Sequence, residues 1–183
     1  TYAWTVPAGV TNPGNVASIS TTEPGTYSVT VTSTANGCTA SASTNLTQNT
    51  TPPTASAANN GQLTCSKTSA TITASPATGV TYAWTVPAGA TNPGNVASFS
   101  TTVPGTYGVT VTSTTNGCTA SASTNLTQNT TPPTASVVND GQLTCAKTSA
   151  TITASPATGV TYVWSVPAGV TNPGNVASFS TTV

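Results

Sequence analysis

Short stretches of the chain alternate between apolar and hydroxyl side chains. Residues 70–75 read ATITAS and residues 106–112 read TYGVTVT, so that apolar or small side chains are separated by Thr, Ser or Gly. Successive side chains of a β-strand point to opposite faces, so this period of two predicts strands with one buried and one solvated face. No segment has a helical period, and the pattern therefore predicts an all-β protein.

Turn-forming sequences separate these predicted strands. Asn60-Gly61 and Asn116-Gly117 favour tight turns, and residues 87–95, PAGATNPGN, combine Pro, Gly and Asn in a loop. The predicted strands are short, and turns recur about every 8 to 12 residues, which is typical of a β-sandwich of immunoglobulin-like type. We therefore expect two packed sheets with an apolar layer between them.

The whole pattern repeats with a period of 80 residues, because TYAWTVPAG begins at Thr1 and Thr81 and TYVWSVPAG begins at Thr161. Residues 1–80 and 81–160 differ at nine positions and align without insertion or deletion. A unit of this length is within the size range of one domain. The predicted domains are the later part of one repeat, which lacks its early strands (1–51), a complete repeat (52–131), and the early part of the next, which lacks its late strands (132–183).

Pro-Pro pairs at residues 52–53 and 132–133 mark the boundaries between the repeats. Proline favours an extended backbone, so the linker TQNTTPPTAS is expected to be a semi-rigid connection and not a flexible tether. Successive immunoglobulin-like repeats should therefore be arranged as a rod or filament.

One face of the predicted strands supplies the core of the complete repeat. Trp84 has the same parity as Val80 and Val86, which favours a core position over a sugar-stacking platform. The predicted core residues are Tyr82, Trp84, Phe99, Tyr107, Val109 and Val111.

The composition excludes several classes of function. The chain has 45 Thr and 21 Ser, but two basic side chains, two acidic side chains and no His. A surface of uncharged hydroxyls has no electrostatic field that would attract nucleic acid. No stretch of the sequence is apolar enough for membrane insertion. Residues 52–131 contain no Asp, Glu or His for acid–base chemistry, so we expect no enzyme activity, catalytic residue, cofactor or metal site.

Four cysteines occupy two kinds of position in the repeat, since Cys38 is equivalent to Cys118 and Cys65 to Cys145. Only Cys65 and Cys118 lie between the same pair of linkers, which predicts a disulfide between them, with Cys38 and Cys145 paired to cysteines of flanking repeats. Closing a loop of that size stabilises a small domain by on the order of 4 kcal/mol in the chain-entropy model. The alternative is four free thiols in a cytosolic protein, but paired cysteines are typical of small secreted domains.

Several motifs together resemble one kind of repeat. They are LTC at 63–65, TYAW at 81–84, PGTYGVTVT at 104–112 and NGCTA at 116–120, followed by a Pro-Pro linker. These motifs are similar to the tandem immunoglobulin-like or PKD-like repeats of large Bacteroidota cell-surface adhesins and secreted filamentous proteins. The resemblance covers the whole chain and implies export, an extracellular or cell-surface location and a longer array. It implies a scaffold without specifying a ligand.

Two positions in each repeat match the acceptor rule for N-glycosylation, Asn-X-Ser/Thr. They are Asn45, Asn49, Asn125 and Asn129, in NLT and NTT triplets. The outward rows of Thr and Ser are alternative acceptors, for O-linked sugar.

These features predict a structural protein whose repeats give length and stiffness to an extracellular filament or adhesin stalk, with adjacent identical repeats as partners. One alternative is an adhesive repeat that itself binds glycans or neighbouring cells through loops such as residues 87–95. An alternative assembly joins separate subunits by strand complementation between chains. Residues 161–183 repeat the pattern of residues 1–23, however, and this overlap favours a window of one continuous polymer.

Overall fold

The structure, a computed structural model, describes residues 1–182. These residues form fourteen β-strands in five sheets and contain no helix, which confirms the prediction of an all-β protein. The strands are β1 (Tyr2–Thr5), β2 (Gly25–Thr32), β3 (Thr39–Leu46), β4 (Ser56–Asn59), β5 (Leu63–Thr64), β6 (Ala70–Ser75), β7 (Val80–Thr85), β8 (Ser98–Thr101), β9 (Gly105–Ser113), β10 (Thr119–Leu126), β11 (Gln128–Asn129), β12 (Ser136–Asn139), β13 (Ser149–Ser155) and β14 (Ser178–Thr182).

The complete repeat contains two antiparallel sheets of three strands each, in the orders β4-β6-β8 and β10-β9-β7. In the first sheet Ile72 pairs with Phe99, and in the second Trp84 pairs with Val109. Side chains from both sheets join one apolar cluster. This arrangement of two sheets around one core is consistent with a β-sandwich.

The core of these two sheets comes from the alternating apolar positions. Ile72, Tyr107 and Val111 are fully buried, and Trp84 is 5% exposed. Phe99 is partly buried, and its ring packs edge-on against Trp84 with 5.0 Å between the ring centroids. The six predicted core residues all belong to this cluster or pack against it: Tyr82, Trp84, Phe99, Tyr107, Val109 and Val111.

A second copy of one sheet precedes the complete repeat. Its order, β1-β2-β3, corresponds in sequence to β7-β9-β10. Val31 is 40% exposed and Leu46 is 41% exposed, whereas the equivalent Val111 and Leu126 are 0% and 1% exposed. The strands of this sheet are therefore paired, but part of its apolar face is open.

The chain divides into two compact units. The first comprises Thr1–Leu63 and Lys67–Thr127, and it holds β1–β3 together with the two sheets of the complete repeat. The second comprises Thr64–Ser66 and the chain from Gln128 onward, and its sheet β12-β13-β14 corresponds in sequence to β4-β6-β8.

Equivalent segments form strands only where a partner strand exists in the chain. Residues 80–85 form β7 beside β9, whereas the equivalent residues 160–165 form no strand. Residues 98–101 form β8 beside β6, whereas residues 18–21 do not form a strand. Backbone groups of a strand are satisfied by the neighbouring strand, so pairing decides the conformation where the local sequence is nearly the same.

Candidate functional site: the linker contact and the open sheet faces

The loop after β7 is held to that strand by its own side chains. The Asn92 side-chain amide donates to the Trp84 carbonyl at 2.8 Å, and the Trp84 indole N–H donates to the Val96 carbonyl at 2.9 Å. Because the Trp84 ring is buried and its N–H has a partner, this residue is a core side chain and not a surface platform for sugars.

The same loop contact forms in all three copies of the sequence. Asn12 donates to the Trp4 carbonyl at 2.7 Å, and Asn172 donates to the Trp164 carbonyl at 2.8 Å. In the third copy residues 160–165 form no strand, yet the contact is the same. The loop therefore depends on local sequence and not on the neighbouring sheet.

A second corner of the complete repeat lies between β8 and β9. The Tyr107 hydroxyl lies 2.7 Å from the Thr101 hydroxyl and donates to the Val103 carbonyl at 2.7 Å. Gly105 has a φ of +139°, and a Cβ added to it would lie 2.7 Å from Cβ of Pro87. Only glycine fits this close approach, so the corner brings the loop after β7 against the start of β9.

The tip of the β9–β10 hairpin contacts the linker that precedes the complete repeat. The Asn116 side-chain amide donates to the Asn49 side-chain oxygen at 3.1 Å and to the Thr51 carbonyl at 2.9 Å. The Asn116 side-chain oxygen accepts from the Cys118 N–H at 3.0 Å. One side chain therefore holds the hairpin turn and binds the linker.

The predicted disulfide between Cys65 and Cys118 is absent, because all four cysteines are free thiols in the structure. The Leu63 N–H donates to the Thr127 carbonyl, beyond the end of β10, whereas Cys118 precedes the start of that strand. The eight residues of β10 span roughly 24 Å, and the two residues from Leu63 to Cys65 reach at most about 7 Å. A disulfide needs Cα atoms within about 7 Å, so these two cysteines are too far apart to pair.

Cys65 lies instead beside the linker that follows the complete repeat. Its Sγ is 3.7 Å from the Thr130 carbonyl oxygen, which accepts a weak hydrogen bond from the thiol. The pairing of Cys38 and Cys145 with cysteines of flanking repeats stays a prediction.

The second unit has an open apolar groove of about 250 Å³. Its lining includes Val137 and Ala154 from the sheet β12-β13-β14 and Val160, Tyr162 and Trp164 from the segment that follows. Val137 is 61% exposed. In the complete repeat the equivalent sheet packs against β7, β9 and β10, so the groove corresponds to half of a sandwich core.

Two of the four charged side chains form an ion pair, in which the Lys147 Nζ lies 2.9 Å from the Asp140 carboxylate. The hydrogen bond from Lys147 lowers the pKa of the Asp140 carboxyl below its usual value, and the hydrogen bond from the Thr151 N–H acts in the same direction. In the complete repeat Asn60 occupies the position of Asp140, and its side-chain oxygen accepts from the Thr71 N–H at 3.0 Å. The same turn is therefore held by a carboxylate in one copy and by a neutral side-chain amide in the other.

A shallow cleft of about 260 Å³ lies beside the loop after β7 in the complete repeat. Hydroxyl-bearing Ser69, Thr91, Ser100 and Thr102 line it together with small residues of that loop. The residues that line this cleft are uncharged, so it presents hydroxyl groups and small side chains without a charge.

The four asparagines that match the N-glycosylation rule are exposed: Asn45, Asn49, Asn125 and Asn129. In the linkers, the side-chain oxygens of Asn49 and Asn129 accept from the N–H two residues later, at 3.3 Å in both copies. Exposure makes attachment sterically feasible, and glycosylation stays a prediction.

Sequence analysis missed the structural role of the asparagines. The Asn59 side-chain amide donates to the Thr124 hydroxyl at 2.8 Å and to the Asn125 carbonyl at 3.1 Å, which connects β4 of one sheet to β10 of the other. Asn92 and Asn116 fix loops in a similar way. Their recurrence at the same loop positions in each 80-residue repeat is the signal that could have revealed them.

Comparison with known proteins assigns no family to the chain. No protein-family model matches it, and no curated protein sequence matches it.

Among residues 1–182, no helix is long and apolar enough to cross a membrane. Over the same part of the chain, no three side chains of His, Cys, Asp or Glu are grouped so that they could hold a metal ion.

Proposed function

We propose that the chain consists of structural repeats of an extracellular filament or adhesin stalk, of the immunoglobulin-like or PKD-like kind found in Bacteroidota surface proteins. The observation that carries the proposal is the contact of Asn116 with Asn49 and Thr51. This hydrogen-bonded contact fixes the linker against the repeat that follows it. A stalk requires successive repeats to keep a constant orientation, and a linker that is fixed in this way would help to maintain it.

The near identity of the repeats supports the same function. Residues 1–80 and 81–160 differ at nine positions, and none of them lies in the linkers, because residues 45–56 and 125–136 are identical. Each repeat and its linker would advance the filament by roughly 3 to 5 nm, given a longest strand of nine residues and an extended Pro-Pro linker. A regular axial spacing in that range is the expected result.

The surface chemistry suits an extracellular scaffold. The chain has two basic and two acidic side chains, and its outward strand positions are mainly Thr and Ser. Interactions between hydroxyls and water do not depend on ionic strength, so the stalk should keep its dimensions as salt changes.

Electron microscopy of the native material and small-angle scattering of the full 183-residue chain test the proposal. We expect an axial repeat in the stated range and the same scattering profile at low and high salt. A profile that fits freely jointed domains would contradict the stalk. Denaturing electrophoresis of the native material then separates a continuous polymer, which runs as a very large species, from assembled subunits.

A second candidate function is adhesion to glycans, and the hydroxyl-lined cleft beside residues 87–95 is the observation that favours it. Its loop is already held in one conformation by Asn92, so a ligand would meet a preformed surface. Binding of the chain to a glycan array, lost in Thr91→Val and retained in Thr11→Val, would support adhesion through the complete repeat. A chain that binds no glycan would leave the stalk as the function.

A second copy of the chain is an alternative route to the same filament. The open face of β1-β2-β3, with Val31 and Leu46, and the open groove of the second unit correspond to the two halves of the complete repeat's core. Strand complementation between copies would bury both faces. In that assembly Trp4 and Trp164, which occupy equivalent positions, would compete for one place, and this favours the continuous polymer.

A further inference from the structure

The linkers before and after the complete repeat are two copies of one segment. Residues 45–56 and 125–136 are identical in sequence. The Thr51 N–H donates to the Asn49 side chain and the Thr131 N–H donates to the Asn129 side chain, both at 3.3 Å. Because sequence and local turn are the same, a contact made to one copy is expected at the other.

The first linker shows how the following repeat binds it. Asn116 donates to Asn49 and Thr51 from the tip of the β9–β10 hairpin. At the second linker the equivalent positions are Asn129 and Thr131. The hairpin tip of the next repeat in the array is therefore expected to bind there.

The second linker shows how the preceding repeat contacts it. The Cys65 thiol lies 3.7 Å from the carbonyl of Thr130, the residue between Asn129 and Thr131. Cys118 follows Asn116 by two residues and is held to it by a hydrogen bond of 3.0 Å. A thiol equivalent to Cys65 and a hairpin tip that carries a thiol equivalent to Cys118 are thus both expected at the same three linker residues.

We infer that the two cysteines of the repeat form a disulfide across the linker, between Cys65 of one repeat and the cysteine equivalent to Cys118 in the next. The inference rests on the proposed covalent array. It agrees with the free thiols of this chain, because the partner of Cys65 belongs to a later repeat and the partner of Cys118 to an earlier one. By the same rule Cys38 pairs with a cysteine of the preceding repeat, and Cys145 pairs with a cysteine of the following repeat.

The chemistry requires an external disulfide as the oxidant. One cysteine thiolate attacks a sulfur of that disulfide and releases one thiolate, and the second cysteine thiolate then attacks the mixed disulfide and releases the other. Two protons leave the protein thiols, and the two electrons reduce the oxidant to two thiols. Cys65 is exposed and Cys118 is partly exposed, so both can be reached.

The test uses the full chain extended after residue 183 by a copy of residues 104–131, which completes the third repeat. The protein is oxidised with glutathione disulfide at low concentration, its remaining thiols are alkylated, and it is unfolded without reductant. Trypsin then cuts after Lys67 and Lys147, which are the two basic residues of the chain. The three fragments are 1–67, 68–147 and 148 to the new end, separated by mass.

We expect fragment 1–67 to remain joined to the last fragment through Cys65 and the copied cysteine, and fragment 68–147 to be released with Cys118 and Cys145 alkylated. Reduction should then separate the joined pair. Retention of fragment 68–147 by either neighbour would instead show pairing within a repeat and overturn the inference. Release of all three fragments without reductant would overturn it as well.

Two variants of the extended chain complete the test. Cys65→Ser should release all three fragments, whereas Cys118→Ser should leave the joined pair unchanged. Loss of the joined pair in Cys118→Ser would contradict the inference. Small-angle scattering of Cys65→Ser separates this result from the proposed function, because the stalk can be rod-like without the disulfide and the disulfide can form in a chain that is not a stalk.

Discussion

Leu126 and Leu46 occupy the same position in successive repeats, but Leu126 is 1% exposed and Leu46 is 41% exposed. Leu126 ends β10 inside the core of two facing sheets, whereas Leu46 ends β3 in a sheet whose apolar face is partly open. The chain therefore contains its own comparison between a closed and an open version of one structure.

Replacing Leu126 by Ala should lower the free energy of unfolding of the complete repeat by about 2 to 5 kcal/mol, because it removes buried methyl groups and leaves a cavity. Hydrogen exchange of the β9 amides, Gly105–Ser113, measures this change. Leu46→Ala is the matched control and should leave the protection of β9 unchanged. Equal losses of β9 protection from the two substitutions would show that Leu46 is buried in solution.

Replacing Asn116 by Ala should loosen the linker, because it removes two hydrogen bonds to Asn49 and Thr51. The backbone order parameters of residues 49–51 should fall from the range of rigid backbone, about 0.85, towards the flexible range below about 0.6. Asn36→Ala is the control, since Asn36 holds the equivalent hairpin turn through the Cys38 N–H. If both variants mobilise residues 49–51 equally, Asn116 does not hold the linker.

Replacing Gly105 by Ala should destabilise the complete repeat by roughly 1 to 3 kcal/mol, because the backbone is in a region unfavourable to side chains and the added Cβ meets Pro87. Urea denaturation followed by Trp fluorescence measures the change. Gly108→Ser is the control, since an added Cβ there would lie 3.7 Å from Thr85 and the first repeat already has Ser28. A neutral Gly105→Ala variant would show that this corner relaxes in solution.

Acid should weaken the turn at Asp140 but not the turn at Asn60. The folded pKa of Asp140 is lowered, so its contribution is present above the usual carboxyl pKa and is lost as the pH falls through the folded value. Carboxyl chemical shifts in an NMR titration give this pKa, and Lys147→Gln should raise it. The Thr71 amide, bonded to Asn60, serves as the control that should not respond to acid. A pKa at or above the usual value would contradict the Lys147 contact.

The elements that sequence predicted correctly depend on local periodicity. The alternation in residues 70–75 and 106–112 lies within β6 and β9, whose apolar side chains are buried. Residues 160–165 show the limit of this signal, since they have the pattern of β7 without its partner strand. A strand requires a neighbour, and a linear pattern does not contain that information.

The disulfide shows why the candidate site was harder to predict. Cys65 and Cys118 lie in the same repeat, and the sequence-based prediction paired them for that reason. In the structure the length of β10 keeps them apart. The direction of a strand is set by the sheet order, which the spacing of cysteines does not reveal. Likewise, the contacts of Asn116 with the linker depend on which loops meet at one end of the sheets.

The contact between Asn172 and the Trp164 carbonyl has a consequence for the order in which such a chain folds. In the proposed array, a repeat that is still being synthesised lacks its later strands, so one of its sheets stands without its partner. Nearly identical neighbours are prone to exchange strands during that interval. A loop that Asn172 closes while residues 160–165 still lack a partner strand can form ahead of its sheet, so each repeat can begin to fold before its last strand is present.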